Sequence, residues 1–350
     1  MPQNRNAEMT TDWLEFLASR GARVTPPSAV DFGNPARELQ SAQSGSVIAP
    51  LAHLATLGFA GSDAGEFLQG QLSCDVQGLD SAHGVLGCYC TPQGRMLANF
   101  LLWREADELR IALAADIAGA VQERLQKFVL RAKVKIVALD PELVLLGIAG
   151  SGGARALQEG LGAVPTEPMG LERAGGVTAI RLLGERFLVA VPSLDAPDLW
   201  RRLAATLVPV GTTAWQWLDI AAGLPLVTGP TQDQFVPQMT NLELIGGISF
   251  RKGCYTGQEI IARTQYRGKV KRRMYRAHIA GAQANAGDQV VGAGEGEPAG
   301  GIVVNAAPSP EGGYEVLAVL QTAAVGTGDL RLRASDGPKL ELRTLPYGLE

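Results

Sequence analysis

The sequence lacks a hydrophobic run that is long enough to cross a membrane. Its apolar segments, such as residues 143–150 (LVLLGIAG), fall far short of the roughly 20 residues that a transmembrane helix requires. The N-terminal segment also lacks the basic start, apolar stretch and small-residue cleavage site of a secretory signal. We therefore expect a cytoplasmic protein with no membrane partner.

Cysteine and histidine are scarce, with four and three copies among 350 residues. Without a secretory signal, four cysteines in a chain of this size are typical of reduced thiols rather than of a disulfide framework. Cys88 and Cys90 form a C-x-C pair, and the sequence contains no C-x-x-C, no H-E-x-x-H and no serine nucleophile elbow. These absences argue against a resident metal or iron–sulfur site and against the ordinary hydrolase mechanisms.

Net charge is also low, but it is unevenly distributed. The whole chain carries −4, whereas the segment from Arg251 to Arg276 contains nine Lys or Arg residues and a single acid, Glu259. Such a basic patch attracts anions, whether a polyglutamate tail, a phosphate backbone or an acidic protein. The alternative is a solvated surface without a ligand.

Length and pattern predict several α+β units. A 350-residue chain exceeds what one hydrophobic core usually organises, so we expect two or three domains of roughly 100–150 residues. Strand-like runs, hairpins and single helices occur without regular βαβ repeats, which indicates the α+β class. The predicted divisions are an N-terminal arm (1–45), two α+β units (46–140 and 141–211), a helix and motif segment that packs back on the first unit (212–269), and a C-terminal antiparallel barrel (270–350).

Local patterns predict two elements of the first unit. Asp63 and Glu66 have capping-box spacing, so a short helix is expected to begin there and to end near Gly70. Two strand-like runs, 84–90 and 95–105, flank a Thr-Pro-Gln-Gly segment that favours a type I turn. We therefore predict a hairpin.

Two further patterns concern a helix and a glycine-rich run. In residues 116–131, apolar side chains three or four positions apart predict one buried helix face. They are Ile117, Val121, Leu125 and Phe128. The run 150–155 (GSGGAR) suggests a dinucleotide-binding loop, but Arg155 stands where the third glycine belongs. We predict a plain turn there.

The most unusual segment is residues 251–263 (RKGCYTGQEIIAR). Thr256 and Glu259 repeat the capping-box spacing, so a helix is expected to run from Thr256 to near Gly268. Cys254 would then lie just before a helix N-terminus, where the helix dipole and nearby cations favour a reactive thiolate. The glycines of the segment would leave space for a ligand.

Simpler interpretations of the same segment stay open. The commonest fate of a free cysteine is to be a small buried hydrophobe. Glu259 and Arg263 are four residues apart and can pair with each other on the helix surface, and Gln258 can be a solvated helical side chain. Spacing alone does not choose between these interpretations and a ligand site.

The octapeptide KGCYTGQE at 252–259, with Arg263 and GKVKRR at 268–273, closely resembles the signature of the YgfZ family. Three other segments resemble blocks of that family in the same order: 67–76, 91–100 and 246–250. The resemblance implies a folate-binding protein that acts in iron–sulfur protein maturation. Since the family is similar in fold to the aminomethyltransferase of the glycine cleavage system, it also implies a three-domain cloverleaf with tetrahydrofolate in a central channel.

Two positions depart from the related patterns. The aminomethyltransferase carries paired aspartates in the segment that resembles 94–99, where this chain has Ala98 and Asn99. Without those carboxylates, aminomethyl transfer lacks its expected proton chemistry. Near Asp219, members of the family commonly have an arginine, and an aspartate there would repel a folate carboxylate.

The leading hypothesis is a tetrahydrofolate-binding accessory protein that supports assembly or repair of iron–sulfur clusters in client enzymes, including those that modify tRNA. The resemblance makes Cys254 the functional thiol. A pterin needs a bidentate hydrogen-bonding partner and a flat wall, and its glutamate tail needs cations. The residues expected to contact folate or a client are Lys252, Gly253, Tyr255, Gly257, Gln258, Glu259, Arg263, Gln69 and Gln71.

Two alternatives belong to other functional classes. One is a folate-dependent one-carbon transferase, against which Ala98 and Asn99 weigh. The other is an RNA-binding protein that uses the basic patch of residues 251–276, with three tyrosines as stacking platforms for bases. These are Tyr255, Tyr266 and Tyr275. As a partner, nucleic acid ranks below folate and iron–sulfur client enzymes.

Overall fold

The fold belongs to the α+β class, as predicted. A computed structural model describes residues 13–25, 29–139, 142–268, 270–292, 300–326 and 329–349. The helices are α1 (residues 13–19), α2 (Pro35–Ser44), α3 (Ala64–Gln71), α4 (Ala115–Val129), α5 (Gly153–Leu161), α6 (Ala196–Leu203), α7 (Thr212–Ala221), α8 (Gln258–Arg267) and α9 (Thr322–Val325). Two short 3-10 helices cover Gly229–Thr231 and Pro237–Thr240.

The strands build three larger sheets and one two-stranded ribbon in the described part of the chain. They are β1 (Arg23–Thr25), β2 (Ala29–Asp31), β3 (Val47–Pro50), β4 (Leu54–Ala60), β5 (Gly84–Cys90), β6 (Met96–Glu105), β7 (Glu108–Ala114), β8 (Lys135–Ala138), β9 (Leu143–Ala149), β10 (Leu171–Ala174), β11 (Val177–Arg181), β12 (Arg186–Pro192), β13 (Val208–Pro209), β14 (Arg272–Ile279), β15 (Gln289–Gly292), β16 (Gly301–Pro308), β17 (Tyr314–Gln321), β18 (Leu330–Leu332) and β19 (Leu340–Arg343).

The first sheet has the antiparallel order β5-β6-β7-β4-β8. The predicted hairpin is confirmed: β5 pairs with β6, and the turn closes where Gly94 donates its amide to the Thr91 carbonyl at 2.8 Å. The helix after residue 63 is confirmed as α3, but its predicted capping box is wrong. The Asp63 carboxylate accepts instead from the amide of Lys133 at 2.7 Å, so it ties α3 to a segment about 70 residues away.

The helix predicted over 116–131 is confirmed as α4, with one error in its buried face. Phe128 is 48% exposed, and Val129 takes the buried position instead. The buried side chains follow a spacing of four residues at Ile117, Val121, Leu125 and Val129. Phe128 lies one residue short of that row and therefore turns outward.

The second sheet has the order β10-β11-β12-β9-β3-β13. Its strand β3, from the predicted 46–140 unit, pairs with β9 of the predicted 141–211 unit, so one strand of the first predicted unit belongs to the second sheet. The domain boundaries themselves stay a prediction. The plain turn predicted at the glycine-rich run is confirmed, because residues 150–152 turn between β9 and α5.

The third sheet has the antiparallel order β18-β15-β16-β17-β14-β19 and curls into a half-barrel at the C-terminal end. This confirms the predicted antiparallel C-terminal unit. A separate core fills it, built from side chains such as Val316 and Ala318.

Helix α7 contacts α2, β3, β16 and β17, so it joins the second sheet to the third. Its Trp215 is 1% exposed and packs on β9 at Gly147. A Cβ at position 147 would lie 2.5 Å from the indole ring, which requires glycine there. No helix in the described residues is both long and apolar enough to cross a membrane.

Candidate functional site

A crevice lies where the first sheet, the second sheet and α7 meet. Its cavity is about 90 Å³, and about 650 Å³ when the open space at its mouth is counted. Its walls are mainly leucine with two aromatic rings and two polar side chains. The lining residues are Leu51, Leu54, Leu86, Asn99, Phe100, Leu101, Ala112, Leu182, Leu188, Trp215, Asp219, Leu224, Pro225, Leu226, Leu242 and Ile245. A mainly apolar lining with a few polar groups is typical of small-molecule sites.

Asn99 is one of the polar side chains, and the chain uses both of its amide atoms. Its Nδ2 donates to the Pro225 carbonyl at 2.7 Å, and its Oδ1 accepts from the Val227 amide at 2.7 Å. An aspartate would keep the second bond but could not donate the first. Asn99 therefore fastens the loop that forms one wall of the crevice.

Asp219 is the other polar side chain, and it pairs with Arg186 from β12. The Arg186 Nη1 lies 2.5 Å from the Asp219 Oδ1, and the arginine side chain is 6% exposed. Burial raises the pKa of Asp219, while the arginine partly opposes that rise. The repulsion of a ligand carboxylate expected from Asp219 is thus offset by a cation directly beside it.

Arg186 keeps a donor free behind the crevice wall. Among the described residues, its Nη2 has no hydrogen-bond partner although it is buried. The guanidinium also lies 5.7 Å from the centre of the Trp215 ring. Sequence reasoning missed Arg186 because it begins an ordinary apolar strand, and only the fold brings it to Asp219.

The motif segment lies elsewhere, against the turn of the β5–β6 hairpin. Its helix α8 begins at Gln258 rather than at Thr256, and no side chain caps it, so the predicted capping box is wrong. Gly257 precedes the helix with φ +84°, and a Cβ there would lie 2.6 Å from the Thr91 carbonyl oxygen. Close docking on the hairpin turn thus accounts for this glycine.

Lys252 serves the backbone of the first unit. Its Nζ donates to three carbonyl oxygens, those of Gln69 at 2.6 Å, Leu72 at 2.6 Å and Cys74 at 2.9 Å. These carbonyls lie at and beyond the C-terminal end of α3, where a cation is favourable. The ammonium also lies 5.0 Å from the centre of the Tyr255 ring, and burial lowers the pKa of Lys252.

The four cysteines are all free thiols, as predicted, but only one is accessible. Cys74, Cys88 and Cys90 are buried, and the sulfurs of Cys88 and Cys90 lie 3.6 Å apart. Burial raises the pKa of Cys74 to about 12, which keeps it protonated and unreactive. Cys254 is exposed, so its interpretation as a small buried hydrophobe is wrong.

The remaining predicted residues have varied surroundings. Gln69 holds the loop after α3 through Asp75 and the Val76 amide, at 2.9 and 2.7 Å. Tyr255 is 8% exposed, and burial raises the pKa of its phenol. The other positions divide into exposed residues (Gly253, Glu259, Arg263) and partly buried ones (Gln71, Gln258).

None of the nine residues predicted to bind folate lines the crevice. Their assignment to a folate or client contact stays a prediction. The structure does bring most of them together with Cys254, on the side of the first unit formed by α3, the hairpin turn and α8.

Several cations of the basic patch already bind groups within the chain. Arg273 binds Glu243, and Arg276 binds Glu315 at 2.7 Å, while Lys252 is held as described. Lys269 lies outside the described residues. Tyr255 is buried and cannot serve as a stacking platform, whereas Tyr266 is 71% exposed.

The fold places the chain among proteins with the aminomethyltransferase fold. The structure matches aminomethyltransferase T of the glycine cleavage system from Bartonella henselae with a TM-score of 0.77, over 96% of this chain and 97% of that one. The two sequences are 19% identical, so this likeness concerns the fold.

Sequence relatives identify the family. The chain is 33% identical over 293 residues to the tRNA-modifying protein YgfZ of Yersinia pseudotuberculosis (strain IP 31758), covering 83% of this chain and 88% of the relative. The YgfZ protein of Yersinia enterocolitica (serotype O:8) is also 33% identical, over 295 residues and with the same coverage. The chain therefore belongs to the YgfZ family. No protein-family profile matches it.

Proposed function

We propose that this chain binds tetrahydrofolate or a derivative in its crevice and uses Cys254 to support assembly or repair of iron–sulfur clusters in client enzymes. The observation that carries the proposal is the pairing of an apolar crevice with one exposed thiol among four. The family's name as a tRNA-modifying protein supports the view that the clients include enzymes that modify tRNA.

The crevice fits the chemistry of a folate. Phe100 and Trp215 offer flat walls for a pterin, and the leucines exclude water. Asp219 accepts hydrogen bonds, and the spare Nη2 of Arg186 suits an anionic or carbonyl oxygen. When bound, the folate would supply one-carbon or redox chemistry, while these residues hold and orient it.

The same crevice is poorly equipped for aminomethyl transfer. Among its lining residues Asp219 is the one carboxylate, and it is neutralised by Arg186. Asn99 is committed to the loop at Pro225 and Val227. Binding without turnover of the transferase kind is therefore the better interpretation.

Cys254 suits a role toward a client rather than toward the crevice. It is exposed, and the neighbouring Gly253 has open space where a side chain would stand. An accessible thiolate is a ligand for iron and a nucleophile. The cluster is the cargo of the client in this proposal and is not a resident group.

Anaerobic calorimetry with tetrahydrofolate tests the crevice. The native protein and Cys254→Ser are expected to bind equally, whereas Leu226→Trp, which fills the crevice, weakens binding at least about tenfold. The amide of Leu226 binds the Asn305 side chain, so this change leaves the backbone contact in place. Leu194→Trp, at a 77% exposed leucine outside the crevice, is the matched control.

Two results of that experiment would contradict the proposal. If the native protein does not bind tetrahydrofolate, the folate role is wrong. If Leu226→Trp binds as well as Leu194→Trp, folate binds elsewhere, and the residues predicted in the motif become the next candidates.

A further inference from the structure

Leu130 occupies a turn position that suits glycine. It has φ 44° and ψ −104°, and the Ala132 amide donates to the Val129 carbonyl at 2.8 Å. This is the geometry of a type II′ turn, whose first central residue has positive φ and is usually glycine. The Leu130 side chain is 88% exposed. Neither the backbone conformation nor packing in the core therefore explains why a leucine stands at this position.

Other apolar and cationic side chains surround this turn. Phe128 is 48% exposed, while Lys127 and Arg131 are exposed cations. Residues 123–135 contain five cations and one acid in all. In the described part of the chain, no salt bridge involves Arg124, Lys127 or Arg131. The apolar side chains thus stand beside three cations that have no carboxylate partner among the described residues, although Arg124 also hydrogen-bonds the Tyr89 phenol.

A groove continues this surface along α4. It offers about 400 Å³ of space between α4, the start of β6 and the loop at Gln232. Leu97 and Val121 contribute apolar walls, and Arg124, Lys127 and Phe128 form the side nearest the turn. Glu123 is the one carboxylate of the lining, against two cations. The Nε of Arg124 is buried without a hydrogen-bond partner among the described residues.

We propose that this α4 surface, defined by Arg124, Lys127, Phe128, Leu130 and Arg131, docks an acidic amphipathic helix of a partner protein. The apolar face of such a helix would cover Leu130 and Phe128, and its carboxylates would pair with the three cations. The most exposed side chain is aliphatic and has no ring to stack on a base, which favours protein over RNA. The inference depends neither on folate nor on Cys254.

A labelled helical peptide built from Leu-Glu-Glu-Leu repeats is the probe, with fluorescence anisotropy on the full chain as the measurement. Native protein is expected to bind it, and Leu130→Ala and Lys127→Glu are each expected to weaken binding at least about tenfold. Leu194→Ala removes a similarly exposed leucine on another part of the chain and should change nothing. A peptide with Gln in place of Glu should bind weakly.

Thermal unfolding of Leu130→Gly separates docking from folding. If the leucine serves a partner, glycine relieves the positive φ, so the midpoint should rise by about 2 °C while peptide binding is lost. A lower midpoint would show that Leu130 serves the fold and would overturn the proposal.

Three further results would overturn it as well. These are no binding of the acidic peptide, equal binding by all variants, and tighter binding of an oligouridylate that Leu130→Ala weakens. Sedimentation supplies a last check, because self-association that Leu130→Ala abolishes would assign the surface to a second copy of the chain.

Discussion

The motif segment and the crevice use polar side chains in opposite ways. In the motif, Lys252 and Gly257 serve the fold, one by holding three carbonyls and the other by docking on the hairpin turn. This support leaves Cys254 exposed at the surface. In the crevice, few polar groups face an apolar space, and Asn99 and Asp219 are already paired. A conspicuous sequence motif can therefore be mostly scaffold around one reactive atom.

The largest expected effect comes from removing that atom. Cys254→Ser should abolish support of client enzymes and leave folding unchanged, because the thiol is exposed. Cys88→Ala is the matched control: it removes a buried thiol, should lower the free energy of unfolding by about 1 kcal/mol, and should keep client support. Mass spectrometry of tRNA nucleosides in cells that carry only the variant reports client activity. Full activity with Cys254→Ser would show that client support does not require the exposed thiol, just as it does not require the buried one.

Lys252 tests whether the motif is scaffold. Lys252→Met should lower the free energy of unfolding by about 3 kcal/mol, because three carbonyls near the end of α3 lose a charged donor. Lys271→Met, at an exposed lysine, should change it by less than about 0.5 kcal/mol. Denaturant unfolding gives both values. Equal stability of the two variants would mean that Lys252 is available to a ligand instead.

Much of the fold could be predicted from local signals, and the errors share a cause. The hairpin turn at Thr91–Gly94 depends on adjacent residues, so its sequence was sufficient. Both capping boxes failed because distant groups compete: Asp63 binds the Lys133 amide, and Gly257 docks on the hairpin turn. Side-chain spacing within a helix cannot reveal such long-range partners.

The candidate site shows the same contrast between local signals and long-range contacts. The exposed thiol lies in a segment that the sequence already marked as unusual. The family resemblance implied a central channel, but the lining of the crevice could not be predicted, because its leucines are indistinguishable from core residues in the sequence. Its ion pair joins Arg186 on β12 to Asp219 on α7, which only the tertiary fold brings together.

His53 provides a pH test at the edge of the crevice. It lies between the lining residues Leu51 and Leu54, is 7% exposed, and burial lowers its pKa to about 4. In the unfolded chain histidine takes up a proton below about pH 6.5. Stability should therefore be complete above pH 6.5 and should fall by up to about 3 kcal/mol as the pH drops to 4.

Two variants isolate this effect by denaturant unfolding between pH 4 and 7. His53→Leu should lose most of the acid-dependent fall. His83→Gln should keep it, because His83 is an exposed partner of Asp80. If both variants follow the native pH profile, other groups control acid stability, and burial does not lower the pKa of His53 as expected.

Asn99→Asp gives the smallest expected effect and the sharpest comparison with the aminomethyltransferase pattern. The new carboxylate loses the donated bond to the Pro225 carbonyl and faces that oxygen instead, so we expect unfolding to become easier by about 1–2 kcal/mol. One-carbon transfer from an aminomethylated carrier to tetrahydrofolate should stay undetectable, because the new carboxylate still accepts from the Val227 amide and therefore stays engaged with the loop. A variant that keeps its stability and gains transfer activity would show that the crevice differs from a transferase site in a single side chain rather than in how its wall is held.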